Sequence, residues 1–393
     1  MNALEPLSLS LRPPHAAPVV AARPGAYIHI PYCAHRCAYC SFTAFAGLDG
    51  EKEYFDALLQ EIHARQGEKT QPLDSIYFGG GTPSYVEPAR LASVLQALDR
   101  TFGIASDAEI TAEGNPDDLD AVRMASLRSL GVNRLSIGVQ SLVDAELIPL
   151  ERRHDAASAV SALSRATRAF SKVSGDLMIG IPGQTRASLM RSLQTLLETG
   201  VGHVSVYLLE LEKAPKLVAM KAANPELFPD DEEAAQRWED VDQRCERQGL
   251  MRYELSNWAR TDEESRHNSK YWLQAPTLGF GVSAHSFDGR VRRANSGSAV
   301  EYGRRVREEG TAFVSTSELQ DEDALREGVM LGLRLREGVT LERYQAARET
   351  LGREDRERLD EREEAGLLTR RRGRIQLTRR GALLSNEVFA LLV

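Results

Sequence analysis

An alternation running from Ala26 to about Leu209 constrains this chain more than any other feature. Short apolar or β-branched runs come at Ala26–Ile30, Ser75–Phe78, Ala108–Thr111, Arg134–Val139, Lys172–Met178 and His203–Leu209. Longer stretches with helical spacing separate them. Phe55, Leu58, Leu59 and Ile62 fall on one helix face, and so do Leu91, Val94, Leu95 and Leu98. Leu119, Val122, Met124 and Leu127 form a poorer stripe. Further helices are expected near Ala157–Phe170 and Ser188–Leu197. Repeated strand-then-helix units argue a parallel sheet with right-handed crossovers. Six such units are too few to close an eight-unit barrel. The pattern therefore predicts an α/β fold, a partial six-unit barrel with one side open. Polar residues at or just after these runs (Glu113, Gln140, Asp176 and Glu210) mark the mouth, where such barrels bind ligands.

The texture changes after the last unit. Pro229–Gly249 reads as a helix with an acidic start and a glycine end. Tyr253–Phe287 is rich in aromatic and polar residues, among them Trp258, Trp272 and the run Arg266-His267-Asn268. It is expected to form loops and short strands packed against the barrel. Charged helices are expected at Asp321–Arg334 and Leu341–Glu364, then a β-hairpin with a basic tip at Arg370–Arg374, then an apolar helix over Gly381–Leu392. Helices followed by a two-stranded wing suggest a small winged-helix-like module. The expected division is a flexible tail over 1–24, the barrel over 25–228, an extension over 229–315 and the module over 316–393.

Composition narrows the function classes. A net charge of −8 gives no global electrostatic case for nucleic acid, and the basic tip sits among acidic helices. No run of 18 apolar residues provides a membrane span, which still leaves room for peripheral association with a membrane-bound partner. The Pro- and Ala-rich start lacks the basic and apolar regions of a secretory signal. Only 4 cysteines in 393 residues argue against a disulfide scaffold and for the cytoplasm.

Three of those cysteines, Cys33, Cys37 and Cys40, fall within eight residues just after the first strand. Their spacing alone leaves three readings open: a zinc site completed by His29 or His35, a Cys-x-x-Cys redox pair, or an iron–sulfur cluster with three protein ligands. A three-cysteine cluster leaves one iron position for another ligand. Gly79-Gly80-Gly81-Thr82-Pro83 follows the second strand. Consecutive glycines let a backbone approach a ligand closely. No Gly-Lys-Ser/Thr follows, so this is not a phosphate loop.

Together these residues resemble the radical S-adenosylmethionine superfamily, whose signature is Cys-x3-Cys-x2-Cys with an aromatic residue before the last cysteine, here Tyr39. Tyr27-Ile-His-Ile-Pro, Gly-Gly-Gly-Thr-Pro, Glu113-Gly-Asn-Pro, Gly138-Val-Gln140-Ser and Asp176-Leu-Met-Ile-Gly-Ile-Pro resemble its coproporphyrinogen III dehydrogenase-like branch. That branch contains anaerobic porphyrin-side-chain decarboxylases and HemW-type heme chaperones, and the resemblance spans Gly25 to the C-terminus.

The resemblance implies a [4Fe–4S] cluster on Cys33, Cys37 and Cys40 with S-adenosyl-L-methionine at the open iron. Tyr27 and Tyr39 would line the site. Gly80, Gly81 and Thr82 would meet the methionine end, and Glu113, Gln140, Arg152 and Asp176 the rest. Acceptors for an ammonium and ribose hydroxyls, and a guanidinium for a carboxylate, suit that ligand. The decarboxylases carry a further cysteine two residues past the triplet, where this chain has Phe42. His267-Asn268-x-x-Tyr271-Trp272 resembles the chaperones' element associated with heme binding. The implied function is a heme chaperone with heme as cargo, an acceptor hemoprotein as partner and an electron donor if redox active. The alternative is a coproporphyrinogen dehydrogenase-like enzyme.

Overall fold

The computed structural model describes residues 23–212 and 214–393. The tail expected over 1–24 therefore lies almost wholly outside the described residues. Six parallel strands follow the expected order: β1 (Gly25–Ile30), β2 (Leu73–Gly80), β3 (Ile104–Gly114), β4 (Arg134–Gln140), β5 (Lys172–Ile179) and β6 (His203–Leu208). Each pairs with the next, in register from Tyr27 opposite Tyr77 to Met178 opposite Tyr207. Consecutive order without reversal is barrel-type winding, not a doubly wound sheet.

The sheet continues past both edges. Beyond β6 come β7 (Met251–Arg252) and β8 (Asn257–Ala259), with β8 antiparallel to β6. Beyond β1 come β9 (Thr277–Phe280), β10 (His285–Phe287), β11 (Val291–Asn295) and β12 (Phe313–Glu318). β9 runs parallel to β1, and the rest follow antiparallel. The outermost strands, β12 and β7, do not pair, so the wall stays open.

Helices cover the outer face because their stripes demand it. α1 (Glu51–Ala64) buries Phe55, Leu58 and Ile62, and α2 (Pro88–Phe102) buries Leu91, Val94, Leu95 and Leu98. Each such side chain contributes about 1.5–3 kcal/mol. α3 (Ala121–Ser129) buries only Met124 and Leu127, and Val122 of the poorer stripe is exposed. α4 (Ala156–Ala169), α5 (Arg186–Glu198) and α6 (Asp231–Arg247) complete the layer. A buried polar node ties α1 to the added strands. Glu61 accepts from the Tyr302 hydroxyl (2.7 Å), the Asn295 amide (2.8 Å) and the Gly281 N–H (2.9 Å), beside Arg65.

Two readings of the later chain change. The stretch expected as loops and short strands contains a helix, α7 (Arg266–Trp272), capped by the Ser265 side chain. The helix expected over Leu341–Glu364 breaks after Glu349 and restarts at Arg353, with Gly352 as its N-cap; the final helix likewise splits into Arg379–Leu383 and Ser385–Phe389. The hairpin forms as Leu368–Arg371 against Arg374–Leu377, with Val339–Thr340 as a third strand. Val329, Leu333, Tyr344, Leu359, Ile375 and Phe389 lie in a second core behind it. The Arg334 guanidinium lies 4.2 Å from the Trp272 ring centroid, joining α7 to this part.

Candidate functional site

A cavity of about 340 Å³ opens between the cysteine loop and the inner face of the sheet. Side chains two residues apart share a strand face. Arg134, Ser136, Gly138 and Gln140 of β4 line the cavity, as do His203, Ser205 and Tyr207 of β6 and Asp176 and Met178 of β5. Gln140 sits at a register shift with φ of 67°, which ends the strand at the mouth.

The cysteine loop is clamped at its base. Gly81 and Thr82 donate backbone N–H bonds to Ile30 and Tyr32 (both 2.8 Å), and Phe45 and Gly47 donate to Pro31 (2.6 Å) and Cys33 (2.9 Å). This requires the glycines. Gly80 has φ of +111° and a Cβ there would lie 2.7 Å from the His29 ring; a Cβ on Gly81 would lie 2.8 Å from the Pro31 backbone. The triple glycine thus serves contact with the cysteine loop, and Gly80, Gly81 and Thr82 also border the cavity.

All three thiols line the cavity. Cys33 is buried, and its sulfur accepts from the Thr82 hydroxyl (3.3 Å); the Cys37 sulfur accepts from Arg152 Nη1 (3.4 Å). Burial pushes the Cys33 thiol up to about 11 and the Cys40 thiol upward as well. They become thiolates when a cationic centre displaces their protons. Among the described residues no three His, Cys, Asp or Glu side chains close around a single metal ion. The fourth cysteine, Cys245, lies in the main core on α6. Three thiols facing a shared cavity, with polar groups behind them, fit a cluster with one open position.

Those polar groups converge. The Tyr77 hydroxyl (2.7 Å) and the Gly80 N–H (3.2 Å) donate to Glu113, and burial lifts its carboxyl to about 7. Asp176 lies inside β5 instead of at its end; it accepts from Ser136 (3.3 Å) and Ser174 (3.1 Å), and burial raises its carboxyl. Arg152 donates to Asn115 Oδ1 (2.7 Å), the Gly138 carbonyl and the Tyr39 hydroxyl (3.4 Å). Its buried Nε finds no partner among the described residues.

Two expected residues stand elsewhere. Tyr27 is not on the cavity wall: its hydroxyl meets His29 Nδ1 (3.1 Å) and its ring stacks on Tyr77 (6.2 Å). His267 is fully buried, with Nδ1 bonded to Ser75 Oγ (3.0 Å), Nε2 to the Tyr271 hydroxyl (3.0 Å) and its ring stacked on Tyr77 (5.3 Å). Burial and nearby Lys270 hold this imidazole down at about 3. Both ring nitrogens are thus occupied within the protein. Its neighbours Ser265 and Asn268 do reach the cavity. Asn115, Arg134, Ser136, His203 and Ser205 are wall residues that the sequence reading missed. Arg134 carried a signal, a lone charge opening an apolar run.

A partial α/β barrel with three thiols at its mouth defines a protein of the radical S-adenosylmethionine type. The Radical SAM superfamily model matches residues 27–196 and the HemN C-terminal domain model matches residues 319–384. The heme chaperone HemW of Bacillus subtilis is 36% identical over 93% of this chain and 97% of that protein. The HemW of Mycobacterium tuberculosis is 35% identical over 97% of each. A solved structure of Escherichia coli coproporphyrinogen III oxidase (HemN), described as a radical SAM enzyme, superposes with a TM-score of 0.83 at 25% identity, covering 95% of this chain and 92% of that one. The chain belongs to the HemW family. Among the described residues no helix is long and apolar enough to cross a membrane.

Proposed function

We propose that this chain is a cytoplasmic heme chaperone, which binds heme and hands it to an acceptor hemoprotein. Cys33, Cys37 and Cys40 hold a [4Fe–4S] cluster, and the cavity behind them takes S-adenosyl-L-methionine. When bound, the cluster supplies an iron with a free coordination position and a low-potential electron. Glu113, poised near neutrality, gives up its proton to pair with the ligand's ammonium. Arg152, fixed by Asn115, offers donors to a carboxylate, while Asp176 and Gln140 offer acceptors to hydroxyls and amines. Phe42, 64% exposed on the cavity rim, gives heme an apolar surface. Ligation of heme iron by His267 requires release of its bonds to Ser75 and Tyr271.

One observation carries this reading: the thiols, Ser265 and Asn268 border one cavity, in a chain matched along nearly its whole length by relatives named heme chaperone. The test is anaerobic titration of the reconstituted protein with heme. The expected result is a Soret band at micromolar heme that weakens in His267→Ala. Absence of the band in both native and variant protein overturns the proposal. The fold likeness to coproporphyrinogen III oxidase favours an enzymatic second reading. Incubation with coproporphyrinogen III, S-adenosyl-L-methionine and dithionite separates the two, since decarboxylated product with 5′-deoxyadenosine would establish the enzyme.

A further inference from the structure

Two different parts of the molecule hold α7. The barrel holds its beginning. The Arg266 and His267 N–H groups donate to Glu109 Oε1 (2.8 and 3.3 Å), and Lys270 Nζ lies 2.7 Å from Asp74 Oδ1. The C-terminal part holds its far end. Gln274, two residues past the helix, donates from Nε2 to the Ala324 carbonyl (3.2 Å) and accepts at Oε1 from Arg343 Nη2 (2.9 Å). These two side chains meet over Gly328 of the helix Asp321–Arg334, where a Cβ would strike both. Gln274 has φ of 51°, a left-handed backbone uncommon for a residue of its kind, and both of its side-chain bonds run to the C-terminal part. The Arg334 guanidinium over the Trp272 ring closes the same seam.

Between these anchors lies the residue that covers His267. The Tyr271 hydroxyl bonds Nε2, and its ring stands edge-on to the imidazole at 5.4 Å. Tyr271 is 39% exposed and is not among the residues lining the cavity. It therefore shields Nε2 on the outer surface, away from the space assigned to S-adenosyl-L-methionine. The seam that holds this end of α7 is incompletely bonded. Trp272 Nε1 and Arg334 Nε are buried and find no partner among the described residues. Buried N–H groups without acceptors cost the closed form and regain water when it opens.

We propose that Gln274, Arg343 and Arg334 form a latch that keeps Tyr271 over His267 Nε2, and that heme reaches His267 from the outer surface when this latch opens. All three are positioning residues, acting on heme only through α7. The inference rests on the heme-chaperone reading, with His267 as the iron ligand. When the seam parts, the last turn around Tyr271–Gln274 loosens and the Tyr271 hydroxyl leaves Nε2. The Glu109 and Asp74 contacts meanwhile keep the start of the helix on the barrel. A latch predicts the opposite sign from simple packing support: weakening it speeds heme uptake.

The test uses the full chain, anaerobically reconstituted, as native protein, Gly328→Ala, Arg334→Met and Arg379→Met. Gly328→Ala pushes Gln274 and Arg343 apart with a residue that suits a helix. Arg334→Met removes the cation and keeps an apolar stem on Trp272. Arg379→Met is the control, since Arg379 ties the C-terminal part to α6, through Asp242 (2.6 Å) and Glu246 (3.0 Å), and not to α7. One readout needs no heme: the rate at which diethylpyrocarbonate modifies His267, followed by peptide mass. The other is the rate at which the Soret band grows after mixing with heme. Both rates should rise about tenfold in Gly328→Ala and Arg334→Met and stay at the native value in Arg379→Met. Rates unchanged or slower in both latch variants overturn the latch and leave the chaperone reading intact. Equal acceleration in Arg379→Met overturns it as well, since general loosening then explains the result. Faster modification with unchanged heme uptake overturns its link to heme. Faster modification in a chain that binds no heme at all overturns the chaperone reading, while the hold of the seam on Tyr271 stands. If one latch variant does not fold, the other carries the same comparison.

Discussion

The two ends of the cavity hold the two motifs that stand out in the sequence, and the fold treats them in opposite ways. At the mouth, three cysteines face open space, and two of them are only half buried. At the inner end, His267 is sealed, with a partner on each ring nitrogen and an aromatic ring on its face. The same family resemblance suggested a ligand role for both. The mouth presents its sulfurs to a ligand cavity, whereas His267 is built first as a core histidine. A motif's residue types therefore say less about readiness than the hydrogen bonds around them.

The largest expected effect tests the mouth. Replacing Cys33, Cys37 and Cys40 together by alanine should reduce iron and sulfide after anaerobic reconstitution to background. Cys245→Ala should leave iron unchanged and cost about 1–2 kcal/mol of stability, as a small core truncation. Iron retained in the triple variant would break the comparison. Next comes the glycine seam. Gly80→Ala puts a Cβ into the His29 ring at a backbone angle that alanine rarely adopts. Chemical denaturation should show a loss of about 2 kcal/mol or more, with cluster loading impaired, and a neutral result would mean the seam is not tight.

The smallest effect sharpens the view of the sealed end. Below the ordinary histidine value of 6.5 the unfolded chain takes up a proton that folded His267 refuses until about 3. Stability should therefore fall as pH drops through that window, by up to about 1.4 kcal/mol per pH unit for this one group. His267→Phe should flatten the curve between pH 6 and about 4, measured by urea unfolding. An unchanged slope would mean the imidazole titrates freely and is not sealed.

Much of this was legible because the barrel writes itself in period. Inward residues of β4 and β6 alternate, α1 and α2 carry full stripes, and the cysteines follow β1 directly. Other parts lack such period. β9 has four residues and owes its place to tertiary pairing with β1; Gly279 is needed there because a Cβ would strike the His285 backbone. α7 has seven residues and no apolar stripe, although Ser265 before Arg266 is an N-cap signal that could have found it. The sealing of His267 by Ser75 joins residues 192 apart in sequence, which no local pattern reveals.

The clamps around the cysteine loop have a consequence for how a cluster is acquired. Ordering one residue's backbone costs about 1–2 kcal/mol in conformational entropy. Cys33 is already preorganised by the flanking backbone bonds, so that cost is settled when the barrel folds. The segment carrying Cys37 and Cys40 has fewer such ties, the Ala38 N–H to the Leu150 carbonyl and the Cys40 N–H to the Cys37 carbonyl (both 3.1 Å), so more of the cost remains there. Metal capture should accordingly have a sequence, with the buried sulfur as the fixed anchor and the outer two closing in afterwards.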